Sequence, residues 1–188
     1  MPEDSAWTVH DRFLELRSHW FTLIGEHLTD HHGQPLEYWR VERAHSVIVL
    51  PLHNDTLLLP PPSYRPGINA TTLDFPGGRL PADQPPAEAA IAILHRELGL
   101  PAHQIAHLDC LDPSGWPINT SFSNQRLYGV VAHIAPTATI APAFLGQQVP
   151  LTPSGIHTLL SAIACLQCRT LLLTWWYSSQ RAQQDSNL

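Results

Sequence analysis

The chain has 188 residues, with 44% hydrophobic and 14% charged content and a net charge of −6. Those values fit one globular domain with a real core and exclude a nucleic-acid footprint, which needs a basic face. All ten cations are arginine, so a lysine Schiff base and a phosphate-loop lysine are excluded as well.

The first residues, MPEDSAWTVH, are acidic and lack an apolar core, unlike a secretory signal. The longest apolar stretch, near Thr170–Tyr177, is too short to span a bilayer. A cytoplasmic protein without membrane contact is therefore expected. Trp7–Val9, Trp20–Leu28 and Leu36–Glu42 read as short N-terminal strands. His27, His31 and His32 lie beside Asp30, Gly33 and Pro35, which read as a solvated turn rather than a metal site.

Ser46–Leu52, SVIVLPL, is a continuous apolar run, as in a strand buried on both faces. Asn54-Asp55 turns the chain and Thr56–Leu59 returns. Pro60-Pro61-Pro62 then ends pairing, because proline has no N–H to donate. Thr71–Phe75 is a further short strand. A helix is predicted from Pro85-Pro86 to Leu98, with Asp83 as its cap and Gly99 as its left-handed end. Ala87, Ala90, Ile91, Leu94 and Leu98 give it an apolar stripe. Leu108–Leu111 and Arg126–Ile134 are predicted strands, and Leu151–Ser161 and Leu166–Tyr177 predicted helices. The order implies an α/β fold with a mixed sheet between helical layers. Three subregions divide the single domain: 1–43, 44–150 and 151–188. Of three cysteines, Cys165 and Cys168 form a lone CxxC, read as two small residues of an apolar helix.

The segment Gly78–Leu100, GRLPADQPPAEAAIAILHRELGL, resembles the box of the Nudix hydrolases: Gly-x5-Glu-x7-Arg-Glu-apolar-x-Glu-Glu-x-Gly-apolar. Gly78, Leu94, Glu97, Gly99 and Leu100 match. Gln84, Ala92, Ile93 and Arg96 replace the first Glu, the Arg, the next Glu and one of the paired glutamates, so the box is degenerate. Ser63–Gly67 and Leu73–Gly78 resemble segments of ADP-ribose pyrophosphatases, and Gly115–Val131 their closing loop and strand. The resemblance implies a Nudix-type α/β/α sandwich with N-terminal antiparallel strands, often dimeric through them. It implies a nucleoside-diphosphate ligand of the ADP-ribose type, and Mg²⁺ or Mn²⁺ if the protein is active.

Position by position, the resemblance gives Arg65 a phosphate or terminal-ribose contact and Asp74 the substrate-side carboxylate. Gly78, Arg79 and Arg96 fall beside the same ligand. The Gly77 carbonyl would be a backbone metal ligand, and Glu97 the remaining side-chain ligand and catalytic acid. Gln125 stands where an acid is frequent; glutamine orients water but takes no proton from it. Asp83, Glu88 and His95 read as cap and exposed helix residues.

Ile93, Arg96 and Glu97 are expected on one helix face toward the phosphates. That face is apolar, cationic and anionic, a poor Mg²⁺ site. A catalytically impaired binding or interaction module is the expectation, with an active Mg²⁺- or Mn²⁺-dependent hydrolase of ADP-ribose or a related compound as the alternative. Whether the chain is an enzyme stays open at this point.

Overall fold

The computed structural model describes residues 7–185; the acidic segment 1–6 and the tail 186–188, both within the sequence reading, lie outside it. The described chain forms two compact units. One holds the chain up to His45 together with Pro117–Arg126, and the other Ser46–Trp116 and the chain from Leu127 onward.

The first unit is built on an antiparallel sheet of β1 (Thr8–Arg17), β2 (Thr22–Thr29) and β3 (Pro35–Glu42), ordered β1-β2-β3. β1 runs ten residues, far beyond the Trp7–Val9 expected. Its residues are almost all exposed, so the one-sided alternation that marks a half-buried strand is absent from its sequence. Charge holds it instead. Glu26 on β2 is 3% exposed and takes the Arg12 Nε at 2.8 Å and the Arg40 Nε at 2.9 Å. The Arg40 hydrogen bonds, more than any other contact, hold the Glu26 carboxyl below the usual carboxylate range, against the opposing effect of burial. At the β2–β3 turn, Asp30 Oδ1 accepts from the His32 and Gln34 amides and Gly33 takes φ +77, the solvated turn expected there.

The second unit is built around a mixed sheet. β4 (Ser46–His53) lies parallel to β11 (Arg126–Ile134) and antiparallel to β5 (Thr56–Leu59) and β8 (Gly77–Arg79). β9 (Ile105–Cys110) pairs with β11, and β12 (Gln147–Pro150) with β5, both antiparallel. β10 (Trp116–Pro117) extends the β11 edge. The β4–β5 turn carries Asn54 in the left-handed region at φ 52. The predicted strand Thr71–Phe75 is instead β7 (Ala70–Thr72), a two-stranded ribbon with β6 (Ser63–Arg65), and Leu73–Pro76 runs buried without pairing in a ladder.

Three helices, α1 (Pro86–Leu98), α2 (Pro153–Ala162) and α3 (Leu166–Asp185), cover the sheet. α1 begins at proline, which suits a first turn, and ends at Gly99 with φ 66. Asp83 does not cap it: Pro85 holds the cap position without a side-chain bond, and Asp83 sits in the preceding turn at φ 62. The buried stripe is also rotated from the one expected. It comprises Ala89, Ala90, Ile93, Leu94 and Leu98, while Ala87 is exposed and Ile91 half-buried. Isoleucines at both 91 and 93 made the sector ambiguous, and contact with Val47, Val49, Val130 and Ala132 settles it. Leu94 and Leu98 are fully buried, each worth about 1.5–3 kcal/mol.

The opposite sheet face meets α3. Gly129 lies against the Leu171 side chain, closer than a Cβ would allow. Thr152 caps α2 by accepting from the Gly155 amide at 3.1 Å. The architecture is the α/β class expected, with a mixed sheet, antiparallel N-terminal strands and helices on both sheet faces. Among the described residues, no helix is long and apolar enough to cross a membrane.

Candidate functional site

The site residues of the second unit gather around two short segments, Arg65–Arg79 and the C-terminal turn of α1. β8 brings Gly77 and Gly78 onto β4, pairing them with Ile48 and Val47. Gly78 lets α1 approach. A Cβ there would stand 3.2 Å from Arg96 Nη2 and 3.4 Å from Ile93 Cγ1.

Arg96 determines the character of this turn. Its Nη2 donates to the Gly77 carbonyl oxygen at 2.9 Å and to Glu97 Oε1 at 2.7 Å. The backbone oxygen and the carboxylate that the sequence offered as metal ligands therefore share one guanidinium. Ile93, expected on the same face, is 2% exposed and packs into the core. It packs against Gly78 and the sheet, because the sheet takes the helix sector that contains residue 93.

This donor set does not fit Mg²⁺ or Mn²⁺. A hard cation needs several oxygens in near-octahedral array. Here one carbonyl and one carboxylate are present, both turned to a fixed positive charge. The bare repulsion between a divalent ion and a guanidinium about 4 Å away is roughly 8 kcal/mol at an effective dielectric near 20, and solvent around the exposed Arg96 side chain reduces it. The Arg96–Glu97 pair, with side chains 58% and 27% exposed, is itself worth only about 0.2–1 kcal/mol. The obstacle is thus chiefly the shortage of oxygen ligands, not the strength of this ion pair.

Arg65 and Asp74 are brought together. Arg65 Nε donates to Asp74 Oδ2 at 2.8 Å, and the Thr72 hydroxyl donates to the same oxygen at 2.8 Å. Asp74 is 9% exposed, whereas the Arg65 side chain is half exposed, with only Nε committed to this pair. Arg65 is positioned by the β6–β7 ribbon, where Asn69 takes φ 51 and accepts from the Tyr64 hydroxyl at 2.5 Å. Arg79 ends β8 opposite Ser46 and is exposed.

Gln125 belongs to the first unit. It is 6% exposed, and its side-chain amide donates to the Ala44 carbonyl at 3.1 Å, so it anchors the 117–126 loop to the end of the N-terminal segment. Glu88 and His95 fall where the sequence put them, on the exposed side of α1, whereas Asp83 sits in the turn before it without capping it. Glu88 and His95 flank a shallow groove with Ile91, Ala92, Pro101 and Ala102.

Sequence reasoning missed one constellation. Cys165 immediately precedes α3, and Cys168 lies in its first turn, so the CxxC straddles a helix N-terminus rather than sitting within an apolar helix. Both sulfurs lie within 4.8 Å of an Asp74 carboxylate oxygen. Cys168 is buried, and its S–H bonds to Cys165. That bond, with the Cys168 and Gln167 amides, pulls the Cys165 thiol down to about 6 against the opposing effect of burial. Cys168 is pushed up by the same bond and by burial. The CxxC spacing was the available signal; Asp74, far away in sequence, was not.

No family model matches the sequence, and no curated protein does. Among solved structures, the fold is similar to the one described as "Crystal structure of ADP compounds hydrolase", with a TM-score of 0.73 at 23% identity. The match covers 93% of this chain and 95% of that one, so the likeness of fold to that hydrolase extends over nearly the whole of both chains.

Proposed function

We propose that the protein binds a nucleoside-diphosphate derivative of the ADP-ribose type through arginine rather than metal, and that it is impaired as a pyrophosphohydrolase. The observation that carries this is Arg96 Nη2 held on both the Gly77 carbonyl and Glu97. What supports the ligand class is the similar fold of a hydrolase of ADP compounds and the presence of Arg65, Arg79 and Arg96 where the sequence resemblance puts a diphosphate.

A guanidinium offers several N–H donors in a planar fork and matches phosphate oxygens two at a time. Arg96 commits Nη2 to the turn, leaving its other donors for a phosphate, and Arg65 leaves its Nη groups in the same way. Neutralising the ground-state charge this way binds the ligand. It does not generate hydroxide, which the metal would do in an active relative. Gln125 supplies no base.

The test is calorimetry of ADP-ribose with and without Mg²⁺, alongside an assay for AMP. Binding of similar strength in both conditions, without AMP, is expected. Steady turnover to AMP and ribose phosphate by the purified wild-type protein with Mg²⁺ or Mn²⁺ would overturn the reading and establish the active hydrolase instead.

The same reading extends to a homodimer through the first unit. That unit exposes Val9, Phe13, Leu16 and Trp39 on its strands and Phe21 just before β2. Sedimentation at micromolar concentration giving only monomer would remove this part.

A further inference from the structure

The Asp74 carboxylate is only half satisfied. Oδ2 receives Arg65 and Thr72, but Oδ1 is buried without a hydrogen-bond partner. The residue is nine-tenths buried, at 9% exposure. A charged oxygen in that position calls for a donor or a cation. The thiol pair stands beside the same carboxylate group. Among the described residues, Asp74, Cys165 and Cys168 present a carboxylate oxygen and two sulfurs that all lie within 4.8 Å of one another. The two cysteines are three apart at the start of α3, so one helix end aims both sulfurs at the same place.

We propose that Asp74, Cys165 and Cys168 form a binding site for a thiophilic divalent cation of the zinc class, with a fourth position open to water or an added ligand. Two thiolates and a carboxylate suit zinc and not magnesium, whose preference is for oxygen alone. At Zn–S of about 2.3 Å and Zn–O of about 2.1 Å, a tetrahedral ion holds its ligands roughly 3.6–3.8 Å apart. The present separations, none above 4.8 Å, are wider than that by about 1 Å at most.

The charges balance. Two thiolates and one carboxylate carry three negative charges, and the ion with the Arg65 guanidinium carries three positive. On binding, each thiol releases its proton to solvent and its sulfur donates a lone pair; nothing is oxidised. Arg65 stays on Oδ2 while Oδ1 takes the ion, so the site does not depend on the nucleotide reading. A disulfide is the other chemistry open to a CxxC at a helix N-terminus. It would leave Oδ1 as it is, and that oxygen is what favours the cation.

The test uses the full chain, reduced with a phosphine and stripped by a chelator, then titrated with Zn²⁺ against a chromophoric chelator and with Co²⁺ by absorption. One equivalent per chain is expected, with a sulfur-to-cobalt charge-transfer band. Cys165→Ser, at the half-buried position, and Asp74→Asn should each lose stoichiometric binding while keeping the wild-type circular dichroism. Cys110→Ser should keep both. Absence of stoichiometric Zn²⁺ uptake by reduced wild type, or uptake unaffected by Cys165→Ser, overturns the proposal. So does recovery of a Cys165–Cys168 disulfide with no zinc uptake after reduction. Nucleotide binding is not part of the readout, so this site and the arginine pocket can fail separately.

Discussion

The Arg96 guanidinium reaches back nineteen residues to donate to the Gly77 carbonyl oxygen at 2.9 Å, where a divalent ion would otherwise find its backbone ligand. Replacing Arg96 by Glu removes the positive charge, frees the carbonyl and places a second carboxylate beside Glu97. We expect Arg96→Glu to acquire Mn²⁺ affinity that the wild type lacks, read by electron paramagnetic resonance of free Mn²⁺. Its ADP-ribose binding should become dependent on the divalent ion. No gain in Mn²⁺ binding by a folded variant would show that the turn cannot hold a metal even without the arginine.

Restoring the acid missing at Ile93 is expected to fail for a different reason. Ile93 is 2% exposed and faces Gly78 and the core, so Ile93→Glu buries a carboxylate without a partner. A loss of about 3 kcal/mol or more is expected in urea unfolding. A soluble variant of wild-type stability would mean that α1 rotates to present residue 93 to the site.

Arg65→Ala should weaken ADP-ribose binding and also lower stability by roughly 1–3 kcal/mol, because it leaves the buried Asp74 carboxylate without its counter-charge and with the Thr72 hydroxyl alone. Arg65→Lys should recover part of the stability and little of the binding, since an ammonium lacks the two-pronged fit to phosphate. Full recovery of both by lysine would make Arg65 a mere counter-ion.

Acid should strike the N-terminal sheet through Glu26. Its folded-state pKa lies below the unfolded value, so its stabilisation is present above about pH 4.5 and is lost as pH falls through the lowered pKa. Glu26→Gln should flatten the stability profile below pH 4.5 and leave the profile's shape from pH 6 to 8 unchanged. The fluorescence of Trp39 on β3, with Trp7 and Trp20 flanking β1, offers a probe. An unchanged acid limb in the variant would shift the assignment to other carboxylates.

Two changes test the packing of the second unit. Thr152→Ala removes the α2 cap and should cost about 1 kcal/mol. Gly129→Ala forces a methyl against Leu171 and should cost roughly 1–3 kcal/mol. Both should move the urea midpoint without changing its slope.

How much of this was written in the sequence depends on the kind of signal. β4, β5 and β11 were legible because continuous apolar runs between turn residues have few other homes. α1 was legible from its prolines and Gly99. β12 was not: of Gln147–Pro150 only Val149 is buried, and a short edge strand carries no pattern of its own. β6 is three exposed residues and gave no signal either. In the site, helical spacing put residues 93, 96 and 97 on one face, but that face is broad and the sheet takes its Ile93 edge. Nor could spacing reveal that a long side chain at 96 would fold back onto the β8 turn. The Asp74–Cys165–Cys168 group joins segments about ninety residues apart, beyond any local pattern.

The parallel pairing of β4 with β11 has a consequence for how the molecule is made. Ser46 finds its neighbour at Leu127, so a ribosome must add about eighty residues before the most apolar strand of the protein gains its long-range partner. Until then that strand has only β5 and the short β8 beside it. Such non-local closure is slow and leaves the nascent chain adhesive. Synthesis in the cell should therefore lean on holdase chaperones during the interval between these two strands.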